Sequence, residues 1–217
     1  MIELVVLDIA GTTVEEHGSV YDALEAAVRA AGATPTDADV NRWMGADKRE
    51  AIAALLGAPS EAVYLDFRAR LSALYASKPP FPLPGVPEAV TRLRAAGVKV
   101  ALTTGFDREV TTALLESVGW TGFFDAVICV DDVPAGRPAP YMIFRAMEAT
   151  GVTDVRRVLT AGDTVRDLEA GANAGAAMVI GVLTGAQNAH DLGPVAHTHL
   201  LPGVAQIPDL VLPRAGA

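Results

Sequence analysis

Leu4-Val5-Val6-Leu7-Asp8-Ile9-Ala10-Gly11-Thr12-Thr13 opens the chain with an apolar run that ends on a carboxylate. Four apolar residues without alternation read as a strand buried on both faces, as in parallel sheets. Asp8 then falls at the strand's carboxyl end, where open α/β sheets bind their ligands. A carboxylate there can bind a metal, attack an electrophile, or do both. Two residues on stands Ala10, which has no side chain to act as an acid.

Outward from this stretch, strand-helix alternation pauses and then resumes. Residues 19–77 carry apolar side chains at helical spacing: Tyr21, Leu24, Ala27, Val28 and Ala31, then Ile52, Leu55 and Leu56, then Val63, Leu65, Phe67 and Leu71. Residues 78–85, with four prolines, read as a stiff linker. From Gly85 onward the spacing predicts helices over 87–96, 108–118, 141–150 and 165–174. Strands are predicted over 98–103, 126–130, 157–161 and 178–182, with short edge strands at 199–201 and 210–212. Such alternation implies a parallel sheet with helices on both faces. The fold expected is α/β: a doubly wound, Rossmann-like core of residues 1–14 and 83–217, with a helical cap of residues 15–82 inserted after the first strand.

Composition narrows the function classes. Of 217 residues, 51% are hydrophobic, enough to bury a large core. The net charge of −9 argues against nucleic acid as a partner. No apolar run reaches the length of a membrane span, and no basic stretch precedes an apolar one at the N-terminus. A single cysteine, Cys129, excludes an internal disulfide, and its setting Ala126-Val127-Ile128-Cys129-Val130 predicts an inert thiol in the core. The expectation is a cytoplasmic protein with a small-molecule partner. Apolar cap helices would suit a homodimer.

Four polar clusters fall at predicted strand ends. They are Asp8; Thr103-Thr104-Gly105; Asp131-Asp132 with Gly136-Arg137-Pro138; and Gly162-Asp163-Thr164-Val165-Arg166-Asp167. Each alone is an ordinary turn or helix cap. Their order, each at a strand end, gathers them into one crevice. The chemistry that fits is phosphoryl transfer. A carboxylate attacking an anionic phosphoryl group is repelled unless Mg²⁺ bridges the two. Asp8 and Asp163 supply hard oxygen ligands, the Ala10 carbonyl a third, and Asp167 lies one helical turn past Asp163. Thr12, Thr103 and Thr104 can hold phosphoryl oxygens, and Arg137 adds a fixed positive charge. Asp8 then serves as nucleophile, giving an aspartyl-phosphate that water hydrolyses.

Asp8, Thr103, Arg137 and Asp163 with Asp167 resemble the four motifs of the haloacid dehalogenase superfamily, and the likeness spans the whole chain. Within it the chain is similar to the phosphonatase (phosphonoacetaldehyde hydrolase) group. That group shares alanine at position 10 and arginine at 137, where most phosphatases of the superfamily have aspartate and lysine. Val133-Pro134-Ala135-Gly136-Arg137-Pro138 also looks like that group's segment. The resemblance implies a Mg²⁺-dependent hydrolase of a small organophosphorus compound.

The resemblance also marks Lys48, in Met44-Gly45-Ala46-Asp47-Lys48, as a catalytic lysine that forms a Schiff base with a substrate aldehyde. A carbon leaving group needs an electron sink instead of the acid missing at Ala10, and an iminium is one. The residue type leaves two other readings open: a cation that binds substrate phosphate or carboxylate, and a surface lysine at a helix start. The chain departs from phosphonatases in having Ala51 for a histidine and Phe106 for a tyrosine. Lesser candidates are His17 at the first hinge, an alternating His197 and His199 pair, and Trp43 and Met44 as pocket walls. Trp120 is expected in the core. Other function classes are an ordinary phosphatase or phosphomutase and a non-catalytic module that binds a phosphorylated metabolite.

Overall fold

A computed structural model describes residues 1–212. The strand built from the opening sequence, β1 (Leu4–Asp8), is buried along its whole length. It lies inside a six-stranded sheet. The other strands are β4 (Lys99–Thr103), β5 (Ala126–Ile128), β6 (Val158–Gly162), β7 (Met178–Val182) and β8 (His199–Leu201). All are parallel, in the order β5-β4-β1-β6-β7-β8. The chain winds out from β1 through β4 to β5, then returns to β6 on β1's other side. Strand order therefore reverses beside β1, and the crevice this creates opens beyond Asp8. Register places Asp8 level with Thr103 and Leu7 level with Ala161.

Alternate β1 residues serve opposite faces. Val5 and Leu7 join the apolar cluster with Ala89, Val90 and Leu93 of α5 (Val86–Ala95) and Leu114 and Leu115 of α6 (Arg108–Ser117). Leu4 and Val6 pack instead with Met142, Ile143 and Ala146 of α7 (Tyr141–Thr150) and Ala170 and Ala174 of α8 (Val165–Ala174). The core is thus doubly wound, as the alternation of elements predicts.

The helical stretch lies between two short strands, β2 (Val14–Glu15) and β3 (Phe81–Pro82), which pair antiparallel where the chain leaves and re-enters the core. It holds α1 (Ser19–Ala30), α2 (Asp37–Asn41), α3 (Lys48–Leu56) and α4 (Glu61–Ser77). Leu24, Val28, Ile52, Phe67 and Leu71 are buried among these helices. Ser60 starts α4 by accepting the Val63 N–H, an N-cap bond of the usual kind.

Two sequence expectations change. Residues 210–212 form no edge strand; most of that segment lies in α10 (Ile207–Val211), which follows the short helix α9 (Ala189–Leu192). Pro208 sits in the first turn of α10, where its fixed φ favours a helix, and Ile207 and Pro208 are buried. The strand at 126–130 stops at Ile128, level with the end of β4. The chain then turns through Val130–Asp132, where the Asp132 carboxylate accepts the Cys129 N–H. Cys129 is buried, and burial raises its thiol's pKa. Trp120 and Phe124 are buried, and the half-buried Phe123 stacks on Trp120.

Candidate active site

The crevice beyond β1 holds a cavity of about 360 Å³ walled from both sides. Asp8, Ala10, Thr104, Gly105, Arg137 and Asp163 line it from the sheet, and Glu16, Tyr21, Asn41, Met44 and Lys48 from the helical insertion. Two glycines let these walls approach. Gly11 has φ +80°, and a Cβ there would stand 2.7 Å from the Asp163 carboxylate. A Cβ on Gly105 would overlap the Ala46 carbonyl oxygen of the loop leading into α3.

At the sheet side, three carboxylates converge. Asp8, Asp163 and Asp167 each offer an oxygen within 4.8 Å of the others, and all three are buried. Arg137, 3% exposed, forks between two of them: Nη2 donates to Asp8 Oδ1 at 2.6 Å, and Nη1 to Asp167. Asp167 also caps its own helix, accepting the Thr164 N–H and hydroxyl on Oδ2. Asp163 has neutral donors only: the Thr12 hydroxyl at 2.9 Å and the Ala186 N–H at 2.7 Å. Among the described residues no cationic side chain pairs with it. Burial, and then the charge of Asp8, raise its pKa. A hard divalent cation between Asp8 and Asp163 would offset the charge that burial and Asp8 disfavour, so the buried oxygen donors fit Mg²⁺.

At the insertion side stands Lys48, the first residue of α3 and 4% exposed. Its Nζ donates to the Ala46 carbonyl at 2.8 Å and lies 5.7 Å from the centre of the Phe106 ring. Burial first, and the nearby Arg137 charge second, lower its pKa to about 8. The surface-lysine reading of Lys48 is therefore a correction: the helix start is there, but the side chain points inward. Ala51 is buried beside it and offers no side-chain proton.

Several candidates fall elsewhere. Thr104 lines the main cavity, whereas Thr103 lines a smaller one behind it with Arg137, Thr160 and Asp167. The Thr12 hydroxyl is engaged by Asp163. Trp43 does not line the cavity; Arg166 of α8 stacks on its ring at 4.5 Å, tying the insertion to the core. Asp131 and Asp132 are taken up by Arg108 and neighbouring N–H groups. His17 touches Pro79 and Phe81 at the second crossing. His197 and His199 belong to no group of metal-capable side chains among the described residues. No helix among those residues is long and apolar enough to cross a membrane.

Sequence reading missed Glu16 and the Thr184-Gly185-Ala186 turn after β7. Thr184 donates to the Gly11 carbonyl at 2.6 Å, and Ala186 to Asp163. The turn had one signal, a strand end beside β6. Glu16 had none, because the bend that turns it inward, through His17 at φ 63° and Gly18 at φ 75°, follows no residue pattern.

A family profile, "Hydrolase: haloacid dehalogenase-like hydrolase", matches residues 2–175. A phosphonoacetaldehyde hydrolase of Bacillus cereus is 32% identical over 209 residues, covering 85% of this chain and 76% of that protein. A phosphonoacetaldehyde hydrolase-like protein from Oleispira antarctica shares the fold, with a TM-score of 0.81 at 21% identity over 96% of this chain and 91% of its own. CbbY from Rhodobacter sphaeroides, solved with phosphate, does so with a TM-score of 0.78 at 20% identity, over 95% and 96%. The chain belongs to the haloacid dehalogenase-like hydrolases, in their phosphonatase-like group, and is a hydrolytic enzyme.

Proposed function

We propose that this enzyme is a Mg²⁺-dependent hydrolase that cleaves the carbon–phosphorus bond of a small β-carbonyl phosphonate, phosphonoacetaldehyde above all. The observation that carries this reading is Lys48: a buried lysine, with its pKa lowered to about 8, in one cavity with Asp8 and with no acid at Ala10. The name borne by the Bacillus relatives supports it.

Asp8 and Asp163, with the Ala10 carbonyl, would hold Mg²⁺, which supplies charge neutralisation at the phosphoryl group. Arg137 holds Asp8 in line and adds positive charge beside it. Asp167 acts from behind by fixing Arg137. Thr104 and backbone N–H groups of its loop receive phosphoryl oxygens. Neutral Lys48 condenses with the substrate aldehyde. Asp8 attacks phosphorus, the carbon–phosphorus electron pair moves into the iminium, and an enamine and an aspartyl-phosphate result. Desolvation supplies the neutral amine, since burial disfavours the ammonium form. Residues 15–82 act as a cap that closes over this site, with the β2–β3 pair as its base.

A second reading has Lys48 bind a substrate anion in a phosphate-ester phosphatase or phosphomutase. Ala51 and Phe106 favour it, because neither can relay a proton at the lysine. One experiment separates the two. Borohydride with phosphonoacetaldehyde should inactivate the enzyme and label Lys48, as mapped by mass spectrometry. No adduct, together with Lys48→Arg that retains cleavage, overturns the Schiff-base reading, because a guanidinium holds an anion but forms no imine.

A further inference from the structure

We infer that Glu16 is the proton-transfer residue at Lys48, donating a proton as the imine forms and recovering it as the imine is hydrolysed. The inference rests on the Schiff-base reading above and adds to it the acid that Ala10, Ala51 and Phe106 do not provide.

Glu16 lies between β2 and α1 and lines the same cavity as Lys48 and Asp8. Its two carboxylate oxygens accept the N–H groups of Gly18 at 3.1 Å and Val20 at 2.8 Å. These bonds aim the carboxyl at one orientation and leave each oxygen a further lone pair for a proton. The other titratable groups of the cavity are occupied. Asp8 and Arg137 bond to each other, and Asp163 holds Thr12 and Ala186. Glu15 accepts the His17 N–H at 2.7 Å, and the Tyr21 hydroxyl donates to Asp37 at 3.2 Å. Of the carboxyl groups lining the cavity, Glu16 alone bonds to backbone N–H groups and to no other side chain, which leaves it to serve the leaving-group end.

Burial is the largest influence on Glu16 and raises its pKa; the two backbone bonds and the Lys48 charge oppose it, and Glu15 adds to it. The buried Tyr75 hydroxyl of α4 also feels the Glu16 charge. A raised pKa favours the protonated carboxyl, which is the form that donates.

The proton count closes. The Lys48 amine adds to the carbonyl, and its proton moves to the new oxygen. Glu16 protonates that hydroxyl, which leaves as water while the nitrogen pair forms the C=N bond. After carbon–phosphorus cleavage, the enamine carbon takes a proton from solvent, matching the one released when water hydrolyses the aspartyl-phosphate. Water then adds to the remaining iminium, and Glu16 takes its proton. The carbinolamine collapses to free Lys48 and the aldehyde product.

A purely structural Glu16 would only cap α1, whose own N-cap residue, Gly18, has no side chain. The test uses readouts that capping does not move. Borohydride trapping of phosphonoacetaldehyde is followed from pH 5 to 10 in the wild type and in Glu16→Gln. The wild-type rate should be bell-shaped, because it needs neutral Lys48 and protonated Glu16 together. Glu16→Gln should lower kcat about 10²-fold, leave KM nearly unchanged and abolish the limb owed to Glu16. Added formate should restore part of the rate in Glu16→Ala. A variant rate within about threefold of wild type on the same profile overturns the role of Glu16 while the imine stands. If Glu16→Gln fails to fold, a wild-type profile with the Lys48 limb alone overturns it equally. Absence of any wild-type adduct brings down the Schiff-base reading instead.

Discussion

The two walls of the cavity are built on opposite principles. On the sheet side, every charged group is held before substrate arrives: Arg137 pairs with Asp8 and Asp167, and Asp163 is held by the neutral donors Thr12 and Ala186. On the insertion side, Lys48 has one carbonyl for a partner, and Glu16 has two backbone N–H groups. The sheet wall is rigid because strand ends in register fix four loops at once. The insertion wall offers Lys48 with its charge disfavoured by burial, which is what the proposed amine chemistry would use. Phosphoryl chemistry needs preorganised charge, whereas amine chemistry needs a proton that comes off easily.

The largest expected effect breaks the sheet wall. Asp8→Asn should lower turnover by about 10³-fold or more, since an amide neither attacks phosphorus nor holds the metal well. Circular dichroism should show a native fold; activity within tenfold of wild type would contradict the nucleophile assignment.

Asp163→Ala comes next, with turnover down about 10²-fold and Mg²⁺ no longer raising the melting temperature. Isothermal titration with Mg²⁺ reads the same loss directly. Asp167→Ala should do less to Mg²⁺ affinity and more to stability, because it leaves Arg137 half-paired and removes a helix cap worth about 1 kcal/mol. Equal metal affinity in wild type and Asp163→Ala would remove Asp163 from the metal site.

Lys48 sharpens the contrast through pH. Competitive acetylation of the resting enzyme should give a Lys48 midpoint near 8, against 10.5 for an ordinary lysine. Burial sets this midpoint first, and the charges of Arg137, Asp8, Asp47 and Glu16 adjust it. The folded pKa lies below the unfolded one, so the unfolded chain holds more protons between these values. Stability contributed by this group therefore rises with pH from about 8 to 10.5, and Lys48→Met should flatten that rise in urea titrations.

The smallest effect concerns the seam between the walls. Gly105→Ala places a methyl group where the Ala46 carbonyl sits. It should cost about 1–3 kcal/mol of stability, and reduce kcat roughly tenfold by shifting the Lys48 loop. Unchanged melting temperature and rate would mean the seam is looser than its geometry implies.

The buried strand ending in Asp8, the alternation after Gly85 and the polar clusters at strand ends were all legible in the amino-acid sequence. Each is a local pattern, and the topology of a parallel sheet leaves little freedom in where strand ends meet. The tail misled for a local reason: three apolar residues suit a strand as well as a helix, and Pro208 decided for the helix. Which threonine of Thr103-Thr104 faces the cavity was decided by the pleat and the turn that follows β4. That Lys48 is buried, and that Glu16 shares its cavity, was decided only by tertiary structure. Both positions depend on how the helical insertion meets the sheet at Gly105 and Trp43, through contacts between residues far apart in the chain. The residue types on both walls follow from the sequence; the low pKa of Lys48 follows from the burial that closing those walls together creates.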